Sequence, residues 1–289
     1  MEALRGLTLT IAPGEFCGLF GPNGAGKTTL IRILATLVTP SAGAAGVLGY
    51  DVVRQAAQVR ARIGLVVSDE SAFYGRLSAR ANLEFFAALQ GLGPAAARRR
   101  SAEMLEFFGL SAAAEAPAQT FSTGMRQKLN VARALLHDPP VIFLDEPTKG
   151  LDTLSAAALR ALLKDELVRR RGKTILLTTH DLAEMEQLCD RVAILEAGRL
   201  RAAGAPADLI REASASVVYR LELAEPAADL RERLAALAAV ATAAVISPLV
   251  AELTFPAPPA GAFWAALAAT ELPVKRFGPK DDGLVSLLK

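Results

Sequence analysis

The octapeptide Gly21-Pro22-Asn23-Gly24-Ala25-Gly26-Lys27-Thr28 leaves this chain few folds to choose from. An apolar run, Cys17-Gly18-Leu19-Phe20, leads into it, and a periodic segment from Thr29 to Leu34 leads out. Strand, glycine-rich loop and helix in that order make a phosphate-cradling P-loop, which belongs in an α/β fold with a parallel sheet. Its glycines let backbone N–H groups converge on one anion, and the helix presents its positive end to the same point. On this reading Asn23, Gly24, Ala25, Gly26, Lys27, Thr28 and Thr29 line a triphosphate. Lys27 reaches the β- and γ-phosphates, and the Thr28 hydroxyl is a ligand for Mg2+. The expected ligand is a nucleoside triphosphate.

Two more strands are expected to end at the same place. Val141-Ile142-Phe143-Leu144 is an unbroken apolar run, as a strand buried on both faces requires, and it ends in Asp145-Glu146-Pro147. Open α/β sheets bind ligands at such strand ends, so Asp145 is placed to hold Mg2+ and Glu146 to polarise an attacking water. The run from Thr174 to Thr179 ends at His180-Asp181, which brings one of the chain's two histidines to that edge as a donor to the γ-phosphate. Between these strands, Phe121-Ser122-Thr123-Gly124-Met125-Arg126-Gln127-Lys128 opens a helical pattern through Leu129, Val131, Ala132, Leu135 and Leu136. Ser122 is a suitable N-cap and Gly124 permits close approach, so this is a second helix start suited to an anion.

Taken together, these segments resemble the ABC ATPase family from Leu4 to about Leu209. Gly21 to Thr28 matches the Walker A loop and Val141 to Glu146 the Walker B strand. Ser122-Thr123-Gly124-Met125 matches the signature, usually Ser-Gly-Gly-Gln. Gly150-Leu151-Asp152 matches the D-loop, His180 the switch histidine, and Gly198-Arg199-Leu200 with Gly204 the turn that closes the core. The resemblance implies ATP and Mg2+ as the ligands, hydrolysis through Glu146 and His180, and a helical subdomain over about 76–125. It also implies a head-to-tail homodimer in which Ser122, Gly124 and Met125 complete the partner's ATP site and Asp152 links the two sites. The ABC-2 exporters are the nearest type. Their pattern implies an integral-membrane permease on a separate chain, and a place at the cytoplasmic face of the membrane.

Three family features are altered, one of them the signature, with Thr123 for a glycine and Met125 for the glutamine while Ser122 and Gly124 are retained. A glutamine that meets Mg2+ usually follows a strand like Ile63-Gly64-Leu65-Val66; here the sequence continues Val67-Ser68-Asp69-Glu70. Aligned from the strand, Ser68 takes that place; aligned from Tyr74-Gly75-Arg76-Leu77, Asp69 does. Either offers an oxygen to the metal, but neither has the amide's donors. The family's adenine-stacking aromatic lies upstream of the segment matching Ala3-Leu4, so adenine is expected to be held without it, or the start to be internal.

Net charge of +2 with scattered charges argues against a nucleic-acid surface, and Arg98-Arg99-Arg100 is expected to be a solvated helix face. The alternative, an ABC ATPase acting on nucleic acid or ribosomes, usually carries a coiled-coil insertion, zinc sites or a second ATPase domain, none of which is seen. Cys17 and Cys189 form no C-x-x-C or Cys/His cluster, and no signal-peptide core opens the chain. Leu234 to Ala251 is uncharged but alanine-rich and broken by Pro248, which disfavours a membrane helix.

The domain boundary is expected at 209/210. In the first part, Leu83, Phe85, Phe86, Leu89, Met104, Leu105, Phe107 and Phe108 are expected to form the core of the helical subdomain. In 210–289, strand near 216–223, helix over 227–239, strands near Val245 and Ala251–Phe255, helix around Phe263-Trp264 and strand near Val274–Phe277 give the order β-α-β-β-α-β. That order indicates a small ferredoxin-like domain, with Pro256-Ala257-Pro258-Pro259 as a rigid turn.

Overall fold

The apolar runs from Phe16 onward come together as one six-stranded sheet. The computed structural model describes residues 2–67, 73–214, 217–227, 229–235, 237, 242–255, 259 and 261–279. They divide into two units, Met1–Pro206 and Ala207–Lys289. The division falls three residues before the expected 209/210 boundary, where helix Pro206–Ser214 begins.

The first unit opens with β1 (Phe16–Phe20) and α1 (Lys27–Leu34), then a small hairpin of β2 (Gly46–Val47) and β3 (Tyr50–Asp51). Next come α2 (Ala56–Arg60), β4 (Ile63–Val66), α3 (Ala79–Leu89), α4 (Pro94–Phe107), α5 (Thr123–Ala134) and β5 (Val141–Asp145). The unit closes with α6 (Thr153–Ala161), β6 (Thr174–Thr179), α7 (Leu182–Leu188), β7 (Arg191–Glu196) and β8 (Arg199–Gly204). Helix α6 runs on into a wider π-helical segment, Leu162–Arg170.

Strand order is β4-β5-β6-β1-β7-β8, parallel throughout except for the terminal β7–β8 hairpin. The hairpin turns on Ala197-Gly198, both with positive φ (47° and 79°), the conformation a two-residue turn between right-twisted strands demands. Every residue of β1, β5 and β6 is buried, so both faces of these strands are covered, and their polar members Asp145, Thr174, Thr178 and Thr179 are buried with them. Side chains of Leu19, Ile31, Val59, Phe143, Leu176 and Leu195 form a core on one side of the sheet. The carboxyl ends of β1, β5 and β6 meet at one edge, in register from Phe20–Thr179 to Asp145–Thr178.

The helical subdomain departs from expectation in two respects. Leu83, Met104, Leu105 and Phe108 are buried, but Phe85 is 38% and Leu89 67% exposed. The apolar stripe of α3 is broader than the face its neighbours cover, so its outer members meet solvent. Arg98 and Arg99 are exposed as expected, whereas Arg100 folds inward. Its guanidinium donates to Leu135 O (3.0 Å) and Leu136 O (3.1 Å), neutralising carbonyls left open where α5 ends. Both cysteines are buried free thiols.

The second unit contains α8 (Pro206–Ser214), β9 (Val217–Leu223), α9 (Leu230–Ala235), β10 (Thr242–Ser247), β11 (Val250–Phe255), α10 (Gly261–Ala269) and β12 (Val274–Pro279). Its sheet is antiparallel in the order β10-β11-β9-β12, which separates the strands joined by each helix, a split βαβ arrangement. Leu221, Leu230, Leu234, Leu253, Phe255 and Phe263 supply its core. Of the stretch from Leu234, the described residues include the end of α9 and the β10–β11 hairpin. No helix among the described residues is long and apolar enough to cross a membrane. The expected turn at Pro256-Ala257-Pro258 lies outside the described residues, as does the far end of the 227–239 helix.

Candidate nucleotide site

The P-loop joins β1 to α1 with backbone only glycine tolerates. Gly24 and Gly26 have φ of 81° and 103°, and a Cβ on Gly26 would stand 2.6 Å from Ala3 O and 2.7 Å from Leu4 Cδ2. Helix α1 begins directly after Gly26, so the N–H groups of Lys27, Thr28 and Thr29 have no helical partner and face the loop. Lys27 is 6% exposed, and its Nζ donates to Gly21 O (2.5 Å) and Pro22 O (3.0 Å). Burial pulls its pKa below the ordinary lysine value, opposed by the charges of Glu146 and Asp145. Asn23, Gly24 and Ala25 form the turn itself, with Ala25 N–H donating to Pro22 O at 3.2 Å.

Asp145 ends β5, 8% exposed, and two hydroxyls hold it from either side. Thr28 Oγ1 donates to its Oδ2 at 3.1 Å and Thr178 Oγ1 to its Oδ1 at 2.5 Å. The next residue, Glu146, has φ of 49°, a left-handed conformation that a non-glycine residue adopts only where its surroundings enforce it. Thr178 enforces it, accepting the Glu146 N–H through both its carbonyl (3.0 Å) and its hydroxyl (3.2 Å). The Glu146 carboxylate contacts His180 Nδ1 (3.2 Å) and Lys149 Nζ (3.2 Å). Burial raises its pKa, but these two partners outweigh that and hold it below the usual glutamate value. His180 is exposed, while the other histidine, His137, is turned inward against Ile63 O (3.0 Å). Thr28, Asp145, Glu146 and His180 are thus brought to one sheet edge beside Lys27.

Thr178 and Lys149 went unread in the sequence. Thr178 stands in an apolar strand where any β-branched residue fits, and Lys149 reads as an ordinary loop charge.

The signature residues are placed differently. Ser122 is exposed, caps α5 and accepts from Met125 N at 3.2 Å. A Cβ on Gly124 would come within 3.1 Å of Ser155 Oγ in α6, so this glycine seats one helix start on the other. Asp152 caps α6, its Oδ1 accepting from Leu154 N and Ser155 N, each at 3.0 Å. Among these contacts, Ser122, Gly124, Met125 and Asp152 lie apart from the P-loop group. Ser68 and Asp69 fall outside the described residues.

Comparison with known proteins agrees with this geometry. Residues 4–149 match the family model described as ABC transporter. The chain is 40% identical over 205 residues to the ABC transporter ATP-binding protein NatA of Bacillus subtilis, covering 71% of this chain and 82% of that one. The chain belongs to the ABC transporter ATP-binding family. It is 45% identical over 215 residues to the daunorubicin resistance ATP-binding protein DrrA3 of Streptomyces coeruleorubidus, covering 73% of this chain and 66% of the relative. Among solved structures it resembles the ATP-binding cassette MJ0796, a post-hydrolysis dimer bound to ADP and Pi, with a TM-score of 0.64 and 27% identity. That likeness covers 70% of this chain and 90% of the cassette. As an ABC ATPase the chain binds and hydrolyses ATP, and cassettes of this family dimerise and work with a membrane component.

Proposed function

We propose that this chain is the ATPase subunit of an exporter, closing as a homodimer on ATP to drive a separate integral-membrane permease from the cytoplasmic face of the membrane. The observation that carries the reading is the convergence of Lys27, Thr28, Asp145, Glu146 and His180 at one sheet edge. The daunorubicin resistance and Nod factor export proteins among its relatives support the direction of transport.

The P-loop N–H groups from Asn23 to Thr29, with Lys27, would bind the triphosphate. The Thr28 hydroxyl and Asp145 carboxylate are oxygen donors held 3.1 Å apart, a pair that fits Mg2+, with Ser68 or Asp69 as a further donor. Bound there, Mg2+ would neutralise charge on the β- and γ-phosphates. Glu146, held ionised by its contacts with Lys149 and His180, would orient the attacking water and accept its proton. His180, exposed and already bonded to Glu146, would donate to the γ-phosphate. Ser122, Gly124 and Met125 would close over the ATP of a second copy, and Asp152 would join the two sites.

The test is steady-state ATP hydrolysis by the full chain with Mg2+ present and after its removal by chelation. The proposal expects Mg2+-dependent turnover that Lys27→Ala and Glu146→Gln each abolish. Undiminished turnover in Glu146→Gln would overturn the assignment of the base.

A further inference from the structure

Glu184 sits in the first turn of α7, three residues beyond the cap Asp181 and four beyond His180. Its side chain is fully buried, and neither carboxylate oxygen has a hydrogen-bond partner of full geometry. A glutamate at this point of a helix ordinarily reaches back to the N–H of the cap residue. Here that N–H is already engaged, since Asp181 N donates to Thr179 Oγ1 at 3.0 Å. The acid is turned inward instead, toward the hydroxyls of Thr179 and Thr148, with the Arg160 and Asp181 charges nearby. Because the Thr179 oxygen accepts from Asp181, its own proton is free to point at Glu184.

The two hydroxyls belong to different loops of the site. Thr179 immediately precedes His180, and Thr148 follows Glu146 by two residues in the turn closed by Lys149 N to Glu146 O (3.2 Å). Those loops carry the Glu146–His180 contact of 3.2 Å. A buried acid standing beneath both loop bases disfavours any arrangement in which they part, because parting removes the few polar groups facing it. Burial also pushes its pKa above the ordinary glutamate value, while the two hydroxyls pull it back.

We propose that Glu184 is a positioning residue for ATP hydrolysis, joining the Thr148 loop to the Thr179 strand end and so fixing the Glu146–His180 pair. Fully buried, it would act through these loops rather than on the nucleotide itself. The proposal rests on the roles given above to Glu146 and His180.

The experiment is steady-state ATP hydrolysis by the full chain. Wild type and Glu146→Gln are measured first, because turnover that survives Glu146→Gln refutes the site assignment and not the role of Glu184. With that control passed, Glu184→Ala is expected to lower kcat by about tenfold with KM for ATP within about twofold. Glu184→Gln, which keeps an acceptor oxygen, recovers most of the rate. In a His180→Ala background, Glu184→Ala adds nothing further. Thr148→Val removes a single half-buried hydroxyl and is expected to give a smaller loss, also masked by His180→Ala. It decides the question if Glu184→Ala does not fold. Full kcat in the folded variants, no recovery in Glu184→Gln, or losses that multiply in the double variants would each overturn the proposal.

Discussion

The P-loop helix α1 and the signature helix α5 both offer an N-terminus to an anion, yet one begins inside the protein and the other at its surface. Around the start of α1, Ala25 is 2%, Lys27 6% and Asp145 8% exposed, and the side chains there are bonded to one another or to the loop. At the start of α5, Ser122 and Thr123 are exposed, and the D-loop region and the start of α6 lie beside it. Gly124 abuts Ser155, and Gly150 lies 3.9 Å from Thr123 Cγ2 when given a Cβ. Leu154, in the same region, is 83% exposed, which is uncommon for a leucine beside two helix starts. The difference teaches that the P-loop groups are held together within the chain while the signature groups lie open, and on the proposed function the open half is the one a partner covers. A second copy placed head to tail would cover it with a P-loop.

Substitutions can break that comparison. The largest effect is expected for Glu146→Gln, with hydrolysis lower by roughly 10²–10⁴-fold while ATP still binds, checked by turnover and by fluorescent-nucleotide titration. Lys27→Ala follows, with turnover lower by about 10²–10³-fold and ATP affinity reduced in the same titration. Ser122→Ala probes the exposed half: ATP binding to the single chain stays as in wild type, while ATP-dependent self-association weakens by about tenfold in sedimentation velocity. Equal loss of nucleotide binding in Ser122→Ala and Lys27→Ala would erase the distinction. The smallest effect belongs to Arg100→Ala, which uncaps the far end of α5. It is expected to lower stability by about 1 kcal/mol in urea titration and leave the rate per folded molecule unchanged.

Much of this site was legible in the sequence because its parts are local. A P-loop is eight consecutive residues, and the Walker B carboxylates follow an apolar run that only a buried strand explains. The Gly26 φ follows from that local order, and the strand ends it marks put Asp145 beside Thr28 once β1, β5 and β6 pair. What escaped reading is set by contacts between distant segments. Thr178 reaches both Asp145 and the strained Glu146, Lys149 pairs with Glu146, and Arg100 closes α5 across 35 residues. Glu184 looks like a surface acid in a short helix until the fold buries it. The apolar pattern of α3 likewise marks Phe85 and Leu89 as core, because periodicity records which residues could be covered and not which are. In the second unit the alternation of β9 and the Pro248 break mark strands that the structure pairs into one antiparallel sheet.

The central claim, that the exposed signature half is completed by a second copy around ATP, is tested most directly by the molar mass of Glu146→Gln in solution. Light scattering with size separation is run with ATP and Mg2+, without nucleotide, and on Glu146→Gln combined with Ser122→Ala. The account predicts a monomer without nucleotide, a dimer of about 61 kDa with ATP, twice the 30.4 kDa chain, and a shift back toward monomer in the combined variant. A mass that ATP leaves unchanged, or a dimer indifferent to Ser122, would contradict it.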